Sequence, residues 1–214
     1  MTHPPAELAE LLDTIRKNGV TNRDVLRVIG MIDRREFVDD IFAATAHDDI
    51  PLPIDRGQTI SQPTIVAMMT EALEVNRSHR VLEVGTGSGY QALVLSHLAF
   101  HVYSLERHRK LALAATSMIT GRHRRSNVTI VTCDGSQGLP SAAPFDRIMI
   151  TAASEDVPPT LLDQLKPGGL MVLPVARSER DQRLLKIDKQ ASGLIYTELG
   201  RVRFVPLVEG VDHE

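Results

Sequence analysis

One stretch constrains the fold more than any other: "RVLEVGTGSGYQALVLSHLAFHVYSLER", Arg80 to Arg107. A short apolar run ends in glycines at alternate positions, Gly85, Gly87 and Gly89. A helical pattern follows, and a second apolar run ends in Glu106. Strand, turn, helix and strand in that order make a βαβ unit, whose parallel strands need helices on both faces. The pattern continues and predicts strands over 80–84, 101–105, 128–132, 145–150 and 169–174. Helices fit near 89–98, 107–120 and 158–165. Beyond Pro174, "RLLKIDK" and "RVRFVPL" read as extended without strong helical patterns after them, which predicts an antiparallel edge. The fold class is α/β, a doubly wound and mostly parallel sheet.

Ahead of this domain lies an extension. Leu8, Leu11, Leu12 and Ile15 recur at helical spacing, with Gly19 as a stop. Thr21 and Asp24 resemble a capping box with Asp in place of Glu, opening a second helix through about Ile32. The tract "HDDIPLPIDRGQTISQP" has no clean period and reads as a long loop, a type of segment that usually carries function. Pro63 suits the first turn of a helix reaching about Leu73, with Ser61 or Gln62 near its N-cap. Residues 1–75 are therefore an N-terminal helical and substrate-loop extension packed on a main domain of residues 76–214, the two forming one structural unit.

Composition narrows the function classes. A 214-residue chain with 43% hydrophobic and 24% charged residues suits an ordinary globular domain. A formal charge of −3 gives no reason to expect nucleic acid. The basic cluster Arg122 to Arg125 reads as a solvated loop. A lone Cys133, no basic-then-apolar leader and no apolar run of about 18 residues predict a cytoplasmic chain without a membrane partner. No strongly apolar exposed stripe is evident, and a monomer is expected. The eight histidines are scattered, and no metal-ligand spacing or Ser-His-Asp arrangement is evident, so no metal is expected.

The glycines form G-x-G-x-G; a dinucleotide fingerprint would place its third glycine where Tyr90 stands. The phosphate loop G-x-x-x-x-G-K-[ST] is absent. Glu83 precedes the turn, and Glu106 ends the following run about twenty residues beyond Gly85, where a carboxylate can accept from both hydroxyls of a ribose. Asp134-Gly135 ends the third run, where a carboxylate can meet an adenine amine. Ribose and adenine without a pyrophosphate describe S-adenosyl-L-methionine, leaving S-adenosyl-L-homocysteine after methyl transfer. "TAAS" after the fourth strand lacks the [DN]-P-P-[YF] stretch typical of nucleobase amine methylation. No obvious base is evident, which favours an acceptor already ionised at pH 7, such as a carboxylate.

"DDIPLPI", "GQTISQP", "VLEVGTGSGYQALVL", "CDGSQG", "PFDRIMITAA", "LLDQLKPGGLMVLPV" and "RVRFVPL" occur in the order seen in protein-L-isoaspartate O-methyltransferases. The chain resembles that family from about Leu8 to Leu207. The resemblance implies methylation of the free α-carboxylate of L-isoaspartyl residues in damaged proteins and peptides, followed by collapse to a succinimide. It assigns Ser61 to the active site as a donor, with Ile54, Thr59, Ile60 and Ser61 facing substrate. Glu83, Gly85, Thr86, Gly87, Ser88, Gly89, Glu106, Asp134 and Gly135 would hold the cofactor. The alternative role for Ser61 is a plain helix N-cap. His47, Asp55, Cys133 and Leu139 depart from the family's usual residues. The first two border the loop and motivate a second reading, a methyltransferase acting on another small molecule or peptide; a non-catalytic cofactor sensor is a third.

Overall fold

The computed structural model describes residues 6–178 and 181–212. Helix α1 (Ala6–Lys17) buries Leu8, Leu11 and Ile15 at helical spacing and exposes its charged face. Helix α2 (Arg23–Ile29) is capped by Asn22, whose side chain accepts from the amides of Asp24 and Val25 at 2.9 and 3.1 Å. Thr21 does not form the expected capping box. Its amide and hydroxyl donate to Glu71 at 2.9 and 3.2 Å, tying this corner to helix α3 (Pro63–Ala72). The backbone turns at Gly30, so α2 also stops short of Ile32.

Two 3₁₀ turns, Arg34–Phe37 and Asp40–Thr45, lead into the long loop, which holds a third, Asp55–Gly57. Two short strands, β1 (Leu52–Pro53) and β2 (Thr59–Ile60), pair antiparallel around the third turn. The βα pattern then proceeds through β3 (Arg80–Val84), α4 (Tyr90–Leu98), β4 (His101–Glu106), α5 (Arg109–Thr116) and β5 (Val128–Thr132). It continues with β6 (Phe145–Ile150), α6 (Pro159–Asp163), β7 (Leu165–Ser178), β8 (Asp181–Gln190) and β9 (Gly193–Val202).

The main sheet has the order β5-β4-β3-β6-β7-β8-β9, parallel through β7, with β8 and β9 as the antiparallel edge. Alternate residues serve opposite cores. Val81, Val102, Met149 and Val172 join α1 to α4 in one cluster, whereas Leu82, Val84, Ile148, Ile150 and Met171 pack with Leu161 in the other. The extension thus shares an apolar core with the sheet.

Several boundaries differ from expectation, among them that of α5, which ends at Thr116 rather than near 120. Strand β7 starts at Leu165 rather than 169, because Leu165 pairs with Phe145 before a register shift. Helix α6 is correspondingly short. Only Arg201 and Val202 of "RVRFVPL" belong to a strand, since β9 begins at Gly193. The remainder crosses the sheet's carboxyl edge, where Ala153 exchanges main-chain bonds with Val205 and Leu207 at 2.8 and 2.7 Å. The basic cluster is also more than a solvated loop. Arg122 and His123 each contact Glu36 at 2.8 Å, and Arg125 reaches Ser96, although Arg124 is exposed.

Candidate active site

The glycine turn follows β3 at the centre of the sheet, the position where open α/β sheets bind ligands. The amides of Gly85 and Thr86 both donate to Leu105 O, at 2.8 and 3.1 Å, and fold the turn against the end of β4. Gly85 has φ of 99°, and a Cβ there would collide with Thr151 Oγ1. At the end of β5, a Cβ on Gly135 would press Val84 Cγ1 at 2.6 Å. Both glycines let the backbone pass closer to these neighbours than any side chain would allow.

Glu106 is 5% exposed and held on both oxygens: Oε2 accepts from Gly87 N at 2.8 Å, Oε1 from His108 N at 3.0 Å. It is therefore a fixed acceptor at the lip of the turn, suited to a pair of vicinal hydroxyls. A cleft runs past Gly85, Gly87, Glu106, His108 and Gly135 to Thr151. Its far side is formed by Val205 to Val208 of the crossing segment. That segment is fastened by Gly210 N to Asp134 Oδ2 at 2.8 Å, Arg107 Nε to Gly210 O at 3.1 Å, and His108 Nδ1 to Asp212 Oδ2 at 2.7 Å.

Two expected cofactor residues stand behind the cleft instead of lining it. Asp134 accepts from Gly210 N and from the amide and hydroxyl of Ser136, at 2.9 and 2.7 Å for the latter two. Burial alone would raise its pKa, but these donors outweigh burial and hold it below the usual carboxylate range. It thus anchors the crossing segment, and Gly135 faces the cleft. Glu83 is fully buried, accepts a short bond from Ser104 Oγ, and reaches Thr86 Oγ1 through that serine. Burial, with a smaller push from Glu106, raises its pKa to about 8 despite the Ser104 bond. A protonated Glu83 buttresses the turn from beneath.

On the other side of Thr151 lies a second pocket, bordered by Thr59, Ser61, Gln62, Ile65, Arg201 and Arg203. A small inner cavity shares lining residues with both and is bordered by Thr59, Ile60, Ser61, Gly85, Thr86, Gly87, Ser88 and Thr151. Thr59 and Thr151 border all three spaces. Gly89 supports the turn as the left-handed N-cap of α4, with φ of 86°. Ile54 lines none of these spaces; it packs on the apolar cluster that includes Ile60.

The loop carrying Ser61 is held by two side chains that give no periodic sequence signal. Arg34, 1% exposed, donates to the carbonyls of Ala46, Ile50 and Ser61 at 2.6, 2.9 and 3.1 Å. Asp49 accepts from Thr64 N at 2.8 Å and Gln62 Nε2 at 2.9 Å, capping α3 from outside the helix. The N-cap position is Gln62, which makes no side-chain cap bond, so Ser61 does not serve as the cap. Its hydroxyl has no protein partner among the described residues.

The departures from the family pattern lie away from these spaces. His47 is buried beneath the loop, 3.3 Å from Asp33 and 3.7 Å from Glu7. Asp55 pairs with Lys110 at 2.6 Å, which lowers its pKa. Cys133 and Leu139 pack on the second apolar cluster.

The sequence matches the family described as protein-L-isoaspartate(D-aspartate) O-methyltransferase over residues 6–212. It is 50% identical to the protein-L-isoaspartate O-methyltransferase of Dinoroseobacter shibae, covering 100% of this chain and 99% of that one. Identity to the Paracoccus denitrificans protein of the same name is 53%, covering 94% and 92%. A solved protein-L-isoaspartate O-methyltransferase superposes with TM-score 0.83 at 29% identity, over 93% of this chain and 65% of that one. A Plasmodium falciparum structure of that description, in complex with S-adenosyl-L-homocysteine, gives TM-score 0.77 at 26% identity over 93% and 97%. The chain belongs to the protein-L-isoaspartate(D-aspartate) O-methyltransferase family.

Proposed function

We propose that the protein transfers a methyl group from S-adenosyl-L-methionine to the free α-carboxylate of L-isoaspartyl residues in damaged proteins and peptides. The methyl ester then closes to a succinimide, which reopens in part as normal aspartate. The observation that carries this reading is Ser61. It lines both the inner cavity beside the glycine turn and the neighbouring pocket, and it is spared from helix capping by Asp49. The names of the relatives support the same acceptor.

When bound, S-adenosyl-L-methionine supplies a methyl on a sulfonium, an electrophile that needs no metal or protein nucleophile. The residues present fit it. Glu106 would accept from the ribose hydroxyls, while Gly85, Thr86, Gly87, Ser88 and Gly135 admit the rest at backbone distance. Asp134 and Glu83 would hold the walls. On the acceptor side, Ser61 Oγ would donate to one oxygen of the substrate carboxylate and leave the other free to attack. No general base is required, because a carboxylate is ionised at neutral pH. Thr59, Ile60 and Thr151 would align the partners and exclude water. Residues 1–75 and 76–214 would act as one unit, since both sides of the proposed site are needed.

We place the reaction in the cytoplasm, in keeping with a single cysteine, and on a monomer. The test is methyl transfer to an isoaspartyl peptide and to its normal aspartyl twin. Transfer to the isoaspartyl peptide alone is expected; equal transfer to both, or to neither, would refute the assignment.

A further inference from the structure

We propose that Arg203, with Arg201 beside it, recognises a second carboxylate on the substrate chain, so that isoaspartyl sites with acidic neighbours are preferred. This rests on the acceptor reading above and adds a substrate class to it.

Both arginines border the pocket that Ser61 and Thr59 border, and no carboxylate does. Arg203 has no hydrogen bond or ion pair among the described residues. Arg201 is only weakly matched: its Nε lies 3.9 Å from Asp181 Oδ1, an oxygen that Arg183 Nε holds at 2.8 Å. The rim is thus positive on a molecule whose formal charge is −3.

The mounting is firm although the side chains are exposed. Gln182 grips the residue after Arg203 from both directions: Phe204 N donates to Oε1 at 2.6 Å, and Nε2 donates to Phe204 O at 3.0 Å. The next residue, Val205, is fixed by Ala153. A guanidinium presented from a pinned backbone loses less freedom on binding than one on a mobile loop.

The reacting carboxylate is a poor match for these arginines. A guanidinium fork occupies both oxygens of a carboxylate and draws off the charge that must attack the methyl group. Ser61 can hold one oxygen and leave the other exposed. A carboxylate elsewhere on the peptide meets no such conflict, and its attraction to the rim also speeds encounter.

The experiment compares two isoaspartyl peptides of equal length, flanked by Glu or by Gln, in wild type, Arg203→Gln and Arg203→Glu. The readout is the ratio of kcat/KM for the acidic to the neutral peptide. For an exposed charge pair, a ratio of about threefold to fivefold is expected in wild type. It should fall towards one in R203Q and below one in R203E. Raising salt to about 0.5 M should remove the wild-type preference, an arm independent of any variant's folding. A wild-type ratio near one, or an equal loss on both peptides in R203Q, overturns the proposal. Failure of wild type on both isoaspartyl peptides would instead overturn the acceptor reading.

Discussion

Arg34 Nη2 donates to the main-chain carbonyl of Ser61 at 3.1 Å, across 27 residues of chain. One buried guanidinium therefore fixes the backbone that carries the Ser61 hydroxyl, the proposed acceptor-side donor. Arg34→Met would leave the carbonyls of Ala46, Ile50 and Ser61 without a donor. A loss of about 3 kcal/mol or more in stability is expected, together with a raised KM for peptide. Thermal unfolding and peptide kinetics check this; an unchanged melting temperature would contradict the role.

Ser61 and Glu106 line different pockets, assigned here to acceptor and cofactor, and on that assignment their removal should separate kinetically. Ser61→Ala should lower methyl transfer about tenfold to hundredfold, the worth of one hydrogen bond to a charged group, with cofactor affinity nearly unchanged. Glu106→Ala should weaken cofactor binding by at least about tenfold, since it loses a charged acceptor and frees the Gly87 amide. Calorimetric titration of cofactor beside turnover measurements gives both numbers.

The carboxyl of Glu83 titrates from its ordinary 4.5 to about 8 because it is buried. Below about pH 4.5 both folded and unfolded chains carry the proton, and burial of the neutral acid carries no titration penalty. Between about 4.5 and 8 only the folded chain keeps it, so stability falls as pH rises, by about 1.4 kcal/mol per unit from this group. Above about 8 the penalty is complete. Glu83→Gln should remove this slope, seen as a gain over wild type that grows from pH 5 to pH 8 in denaturant titrations. A constant difference across that range would show that Glu83 is not the group responsible.

The segment from Val205 to Asp212 closes the cleft beside the glycine turn, the proposed cofactor site, through contacts to Ala153, Asp134, Arg107 and His108. Truncation after Leu207 removes the last three of these. At about 1 kcal/mol for each such bond, a stability loss of about 3 kcal/mol is expected, and cofactor affinity should fall about tenfold because the cleft also loses Val208 from its wall. Full affinity in the truncated chain would show that the fastening is incidental.

Local signals made much of this molecule legible in its sequence. The parallel strands are buried on both faces and read as apolar runs, and the turn between them needs glycine for steric reasons. Glu106 could be placed because it sits at a strand end at a fixed distance from that turn. Arg34, Asp49 and Thr151 could not be found this way. Each acts through a contact distant in sequence, often with a main-chain atom, and such contacts impose no period on the residues involved. The sequence locates Asp134 just after a strand and Glu83 within one, but their orientation depends on Gly210 and Ser104, which only the folded chain brings near. The capping of α2 turned on a similar competition: Glu71 takes Thr21 and leaves the cap to Asn22.

The crossing segment also bears on the order in which the molecule is completed. A folding intermediate with β3 to β5 in place already has the glycine turn and Glu106. The covering contacts span 76 to 104 residues and must wait for the rest of the sheet. Cofactor binding thus rewards only the finished molecule: half-folded or nicked chains gain little from the methyl donor, whereas intact ones are stabilised by mass action. On the proposed activity, methyl transfer is therefore expected only from copies of the enzyme that have themselves folded to completion.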